Sequence, residues 1–434
     1  MPTEPSFGIA WDALTNLTRT QYANTSEVKE LIQTNQQMLK WLATDMSGGG
    51  DSWTEPVKYK GARGIGSTRA IAQQVARGNA GRIKAEKWVG EWATLKASLF
   101  VEEKALILAN RGGEATEAFL RVQLDAIKQT LIEFGNRTEE MLSWSPGCAL
   151  AYGSISAGVY TLANPILSAS FKVGDVCEWS ANDGSSSGHS AAAAYGYVVA
   201  VGDKTVTFSA SDGGSAGSPS GWSGSGYVFR RGQFGGGSDP IDPIISLPTY
   251  LPASDPSTTL LNVDRTKDVV AFSGVRIASG DLSTTNVKEI LQALCTKYYY
   301  KGYSQSSKKA IFVHPEQWEK IRKILENEQH REVTGQDAET GLTKLDLFTP
   351  IGKIPVIPWR FCNFNQGYLL DHAAQRFRTC GKWPQESGTM MGERAHTSDS
   401  EDYYEWRWTG LGQLQMPAPG ANGVAYLPGT PDYL

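Results

Sequence analysis

Between Lys58 and Lys87 the basic side chains Lys58, Lys60, Arg63, Arg69, Arg77, Arg82, Lys84 and Lys87 face a single acid, Glu86. That stretch carries a charge near +7 inside a chain whose formal net charge is -4. Gly61, Gly64, Gly66, Gly78 and Gly81 punctuate it. So long a basic excursion has too few apolar residues to fold back on itself. Its flanks, Val57–Tyr59 and Leu95–Val101, read as the two strands of a long hairpin. Residues 1–25 before it are polar and irregular. Asn24 and Glu27 then resemble a capping box, and Val28, Leu31, Ile32, Met38, Leu39 and Leu42 recur at helical spacing up to Gly48-Gly49-Gly50. An arm and a loop that bury little surface on their own chain make sense if other copies of the molecule cover them.

The totals set bounds. A length of 434 residues allows about two to four domains, and 40% hydrophobic with 20% charged residues fits a folded chain. The slightly negative balance argues against specific DNA reading. No run of about 18 apolar residues exists, which argues against a membrane partner, and Met1 to Ala10 lack a signal layout. Cys148, Cys177, Cys295, Cys362 and Cys380 are odd in number and form no CxxC pair. They read as buried thiols in a reducing compartment rather than as a disulfide framework.

The strongest helix signal lies at 114–142. Leu120, Leu124, Ile127, Leu131 and Phe134 form one stripe, Glu114 and Glu117 occupy the first turn, and Pro146-Gly147 stops the run. The helix would be about 43 Å long, the size of a structural spine. Residues 165–235 change to short β runs between Gly/Ser turns and suggest an inserted barrel of about five strands. Residues 284–380 read as an α/β unit. Val287, Ile290, Leu291, Leu294 and Tyr298 form a helix stripe, Lys309–His314 a strand, and Pro315 opens a second helix with Trp318, Ile321 and Leu325 inward. Further strands are expected at Ile354–Pro358, Gly367–Asp371 and Phe377–Cys380. Residues 403–416 alternate, with Tyr404, Trp406 and Trp408 on one face, and should return near the long helix.

No motif carries chemistry. Gly64-Ile65-Gly66 starts a dinucleotide fingerprint that Arg69 breaks, and no G-x-S-x-G elbow or HExxH pair occurs. Cys362, His372 and Cys380 match no common metal spacing. Glu139-Glu140 reads as a solvated helix end. No catalytic, cofactor or metal residue is assigned. One charge relation stands out: the acidic run Asp399, Glu401, Asp402 and Glu405 complements the basic run 58–87, and across a subunit boundary the two would meet.

Leu260-Leu261-Asn262-Val263-Asp264-Arg265 followed by Phe272-Ser273-Gly274-Val275-Arg276 resembles the "VDR…GVR" segment of one branch of the major capsid proteins of tailed bacteriophages, the HK97-like fold. The step Pro315-Glu316-Gln317-Trp318 resembles the "PxxW" of their axial domain. The resemblance spans about 25–160 and 245–430. It implies an α+β fold with residues 1–50 as N-terminal arm, 51–100 as extended loop and 101–164 as peripheral domain with spine helix 114–142. Residues 165–235 become an inserted β domain, 236–274 a linker with peripheral strands, 275–385 the axial domain and 386–434 the closing strands and tail. It further implies self-assembly into pentamers and hexamers of an icosahedral shell around double-stranded DNA bound non-specifically. Scaffold, portal and decoration proteins would be partners, and the location a virion assembled in the host cytoplasm. An encapsulin-like nanocompartment shares this fold. A glycan-binding β protein, suggested by 13 Trp and 17 Tyr, and an enzyme are the other readings.

Overall fold

The structure, a computed structural model, describes residues 37–60, 73–74, 77, 84–102, 127, 130–143, 149–183, 194–231, 244–257, 259–302, 308–328, 345–386, 396–397 and 403–429. The chain divides into two compact units. One is Met1–Gly49, Trp92–Leu142 and Phe377–Gln413; the other is Gly50–Glu91, Ser143–Arg376 and Leu414–Leu434.

In the first unit a short helix α1 (Gln37–Trp41) leads into strand β1 (Ala43–Asp45). The helix stops well before Gly48-Gly49-Gly50, contrary to the sequence expectation. The chain leaves it to pair with β18 (Arg376–Thr379): Gly48 N–H donates to Thr379 O at 3.0 Å, and Arg378 Nε lies 3.6 Å from Asp45. Strand β4 (Ala93–Glu102) runs antiparallel to β21 (Tyr403–Gln415), in register from Gly412↔Ala93 to Tyr403↔Glu102. The expected hairpin of Leu95–Val101 with Val57–Tyr59 therefore does not form. The alternation that buries Trp406 and Trp408 gives β21 an apolar face, and a ladder from Tyr403 to Gly412 outweighs nearness in sequence. Short strands β19 (Gln385–Glu386) and β20 (His396–Thr397) also pair with β21.

Residues 130–143 form helix α2. Ile127, Leu131 and Phe134 are buried as the stripe requires; residues 114–126 lie outside the described residues. Phe134 meets Trp383 edge-on at 5.4 Å, and a Cβ at Gly410 would stand 2.6 Å from that indole and 2.9 Å from Phe134. Strand β21 thus packs against α2 at a position where only glycine leaves room.

The second unit contains a closed barrel of six strands in the order β10-β5-β6-β9-β8-β7: β5 (Ala151–Ser156), β6 (Val159–Leu162), β7 (Val176–Ser180), β8 (Gly196–Val201), β9 (Thr205–Ser209) and β10 (Gly224–Arg230). It begins at Ala151 rather than 165 and has one strand more than expected. The Gly/Ser turns marked its later connections, whereas β5 and β6 are joined by the tight Ala157-Gly158 turn, where both residues have positive φ. Aromatic side chains fill the interior. Trp179 and Trp222 stack at 5.8 Å, Tyr160 and Phe208 are fully buried, and the Tyr160 hydroxyl lies 3.1 Å from Gly226 O. Gly153, Gly196 and Gly226 sit under the rings of Tyr160, Trp222 and Trp179, where a Cβ would collide. Trp179 and Trp222 are therefore core, which removes them from a glycan platform.

A mixed six-stranded sheet completes this unit in the order β13-β22-β17-β14-β16-β15: β13 (Val275–Ile277), β14 (Lys309–Val313), β15 (Leu345–Thr349), β16 (Gly352–Pro358), β17 (Gln366–Asp371) and β22 (Gly423–Tyr426). Two expectations change here. The strand expected at Phe377–Cys380 forms as β18 but pairs in the other unit. Gly423–Tyr426, expected among the closing strands, joins this sheet instead. Val424 and Ala425 are fully buried between β13 and β17, and Asn422 Oδ1 accepts from Asp371 N–H at 2.8 Å. Helices α5 (Val287–Tyr300) and α6 (Pro315–Glu328) share one core with Ile311, Val313, Val356 and Leu369. Asn286 caps α5, and Trp318 Nε1–H docks α6 by donating to Val356 O at 3.1 Å. Connecting pieces are α3 (Leu247–Tyr250), α4 (Val269–Ser273) and the hairpin β11 (Thr259–Leu260)–β12 (Val263–Asp264). A separate sheet pairs β2 (Ser52–Lys60) with β3 (Lys84–Glu91).

His314, just before α6, is buried, and its Nδ1 accepts from Glu316 N–H at 3.2 Å. Burial holds its imidazole down to about 4. The folded state thus binds this proton less readily than the unfolded chain. Its contribution is complete above about pH 6.5 and is lost as pH falls from there to about 4, on the order of 3 kcal/mol in all. Denaturant titrations should show that loss in the native protein. His314→Asn, which keeps an acceptor without a titrating proton, should flatten the difference; equal pH slopes would exclude this role.

Candidate assembly surface

Strands β2 and β3 pair from Ser52↔Glu91 to Lys60↔Lys84, with a bulge between Lys58 and Lys60. Among the described residues no third strand joins them. A two-stranded ribbon alone is marginal in water, and the second unit supplies what it lacks at the root. Trp53, Val57 and Trp88 are buried. The Trp88 ring stands edge-on to Tyr250 at 6.1 Å and to Phe272 at 6.0 Å, and Tyr59 meets Phe272 at 5.0 Å. Polar ties surround this packing. Glu55 pairs with Arg376 at 2.6 Å, Glu86 with Lys267 at 2.7 Å, and Val89 N–H donates to Leu261 O at 3.3 Å. The Tyr250 hydroxyl donates to Leu414 O at 3.1 Å, and burial holds that phenol protonated far above its usual range. The expectation that this loop buries little on its own chain is therefore corrected at its root, where indole side chains outweigh the surrounding lysines. Thr54, Pro56 and Lys87 are exposed at the root, and Lys84 is exposed at the far end of β3. Pro56 is tolerated because a ribbon has free edges.

The basic candidates divide accordingly. Lys58 and Lys60 lie on β2, Lys84 and Lys87 on β3, and Arg77 is exposed. Arg63, Arg69 and Arg82 lie outside the described residues. Of the acidic run, Glu405 lies on β21, opposite Phe100 and His396 in register, while Asp399, Glu401 and Asp402 lie outside the described residues. Glu405 and the basic strands belong to different units.

Both arginines of the paired motif are buried. Arg265 Nη1 donates to Thr249 O at 2.8 Å. Arg276 Nη1 donates to Ser254 O at 2.6 Å and pairs with Asp255 at 2.8 Å. Burial lowers the pKa of both guanidinium groups; Arg276 lowers Arg265 further, and Asp255 offsets the effect at Arg276. They act as struts that hold the 249–255 segment on which Trp88 packs. Gly274, between them, has φ 79°, and a Cβ there would stand 2.9 Å from Asn422 O.

The Glu139-Glu140 pair is not a solvated face. Glu139 is 2% exposed, and its Oε1 accepts from Met38 N–H at 2.6 Å and Leu39 N–H at 3.0 Å; Glu140 pairs with Arg137 at 3.2 Å. The carboxylate satisfies the first amides of α1 and fixes where the N-terminal segment joins the first unit. A capping partner about 100 residues away leaves no local sequence signal.

Among the described residues no three His, Cys, Asp or Glu side chains stand close enough to hold a metal ion, and no helix is long and apolar enough to cross a membrane. Burial pushes the Cys295 thiol up to about 12, and Cys362, also raised by burial, donates to Gln366 O at 3.4 Å.

This chain is similar to solved phage capsids. The cyanophage A-1(L) capsid asymmetric unit matches with TM-score 0.49 and 9% identity, covering 90% of this chain and 92% of that one. The capsid of the native GTA particle matches with TM-score 0.45 and 8% identity over 90% of each chain. Mycobacterium phage Ogopogo matches with TM-score 0.42 and 8% identity, covering 90% and 92%. With TM-scores below 0.5 these likenesses lend no residue roles to this chain. No protein-family model and no curated protein matches the sequence.

Two substitutions test the anchoring. Trp88→Ala should cost about 3–5 kcal/mol and speed hydrogen exchange in β2 and β3 while barrel amides stay protected. Exchange that rises equally everywhere would deny the root its local role. Glu139→Gln should cost about 1.5–3 kcal/mol and hasten proteolysis near residues 37–41. Unchanged cleavage there would show that the carboxylate does not hold the segment.

Proposed function

We propose that the chain is a structural subunit of an icosahedral phage shell, built from pentamers and hexamers of itself around double-stranded DNA, with no catalytic role. The observation that carries this is the β2–β3 ribbon. It is fixed at its root by Trp88, lacks a third strand among the described residues, and turns Lys84 and Lys87 outward. A ribbon so anchored and so incompletely covered is the form a reaching contact takes. A neighbouring copy would supply the missing surface.

In this reading residues 1–50 are the N-terminal arm and 51–91 the extended loop, after which β4 pairs with β21. Residues 101–150 with α2 belong to the peripheral domain, 275–375 with β22 to the axial domain, and β18 to β21 to the closing strands. The barrel is an added domain on the outer face, suited to stabilising capsomers or docking a decoration protein. Lys58, Lys60, Arg63, Arg69, Arg77, Arg82, Lys84 and Lys87 would meet Asp399, Glu401, Asp402 and Glu405 of a neighbour. Scaffold and portal proteins would be further partners, and the site of action a virion assembled in the host cytoplasm.

Purified protein should form closed particles by negative-stain microscopy and light scattering, and nucleic acid inside particles from cells separates a virion shell from an enzyme-packaging compartment. Charge reversal by Lys84→Glu with Lys87→Glu should shift assembly to lower salt, because exposed pairs are screened over about 10 Å at 0.1 M. A monodisperse monomer under all conditions would refute the shell reading.

A further inference from the structure

We propose that the end of the mixed sheet where α5 stops is a non-specific nucleic-acid contact. Lys301 and Lys308 take backbone phosphates there, and Tyr299 and Tyr300 offer rings to an unpaired base. The inference deepens the shell reading, giving the wall a place to touch its contents. It rests on that reading only for which nucleic acid is met.

The sequence from Ile290 to His314 contains Lys297, Lys301, Lys308 and Lys309 and no Asp or Glu. The fold gathers these residues at one end of the unit. Lys309 Nζ lies 5.7 Å from the centre of the Tyr298 ring, which joins the last turn of α5 to the start of β14. His372 N–H donates to Lys308 O at 2.9 Å, which brings the end of β17 to the same place. Lys297 Nζ, in the last turn of α5, donates to Arg276 O at 2.7 Å, which ties β13 to the helix end. Asp371, the carboxylate at this end of β17, is turned inward onto Lys309 at 3.2 Å, both side chains nearly fully buried. It neutralises the core lysine and leaves Lys301 and Lys308 exposed.

The aromatic exposure is the second observation. Tyr300 is 82% and Tyr299 47% exposed, their rings 6.4 Å apart. Lysines at a helix C-terminus are explained by the helix dipole, but the dipole accounts neither for two uncovered tyrosines nor for Lys308, which lies outside the helix. Cations beside open aromatic faces are the chemistry that holds single strands, with phosphates on the charges and bases on the rings. A second copy of this end fits less well, because it would set lysine against lysine.

The test is fluorescence anisotropy of the purified full chain with a labelled single strand of about 20 nucleotides and with its duplex, between about 50 and 200 mM salt. Lys301→Glu with Lys308→Glu should weaken binding to both probes at least about tenfold and reduce the salt slope by about 2. Tyr299→Ser with Tyr300→Ser should weaken the single strand about tenfold more than the duplex. Lys172→Glu with Lys204→Glu, on the barrel, should leave both unchanged. Binding by the native chain to neither probe at low salt, or equal binding by the Lys301/Lys308 variant, would overturn the proposal. Particle formation is read on the same samples. A Lys301/Lys308 variant that still binds nucleic acid but no longer assembles would assign this end to contact between copies. Native protein that binds without forming particles would sink the shell reading alone.

Discussion

The direction of the β2–β3 ribbon depends on the burial of one indole. Trp88 lies against Tyr250 and Phe272, both fully buried. An aromatic side chain of this size hides about 150–250 Å², on the order of 5 kcal/mol by area. The ion pair Glu86–Lys267 at the same root stands open to solvent, where water and salt screen it. Packing therefore decides where the ribbon starts. This order matters for a reaching element. If surface charge fixed its root, salt would change its aim as well as its grip.

The platform under Trp88 is itself held by costly groups. Arg265 and Arg276 are both buried, and between them they tie down Thr249 O, Ser254 O and Asp255. Two guanidinium groups in one apolar neighbourhood repel each other, and apolar side chains of similar volume would have cost less to bury. What the arginines add is geometry: a fixed set of donors that accepts one path of the 249–255 segment. Glu139 does the same in the first unit, where a carboxylate meets two backbone amides at the start of α1. In each unit a buried charge holds a short connecting segment in one position.

Elements with a local period were legible in the sequence. The stripe of α5, the Pro315 start of α6, the alternation of Trp406 and Trp408 and the buried face of α2 all follow from spacing of 2 or 3.6. Pairing partners were not. Leu95–Val101 and Lys84–Glu91 both have strand composition next to the basic run, and only the ladder offered by β21 decides between them. Gly423–Tyr426 is too short to declare which sheet it enters. The barrel was seen through its Gly/Ser turns and missed where a two-residue turn left no run to notice. Glu139 was misread because charge on a helix predicts exposure unless a distant partner is known. At the candidate surface the lysines were visible and the tryptophans that aim them were not, since Trp53 and Trp88 sit in sequence among charged neighbours.

A chain with net charge -4 that exposes cations at chosen places behaves differently from a uniformly basic one. Long-range attraction to a polyanion is weak, because at physiological salt charges beyond about 8 Å are screened. Contact is then confined to points where lysines are exposed, and Lys301 and Lys308 are two of them. Each such contact releases few counterions and so remains reversible. Aromatic rings beside those lysines add affinity that salt does not remove, and they add it only where bases are unstacked. A wall built this way can touch a nucleic acid at many copies of one small site while holding it loosely overall. The placement of the acids is compatible with that property: Asp371 pairs with the buried Lys309, while Lys301 and Lys308 stand exposed.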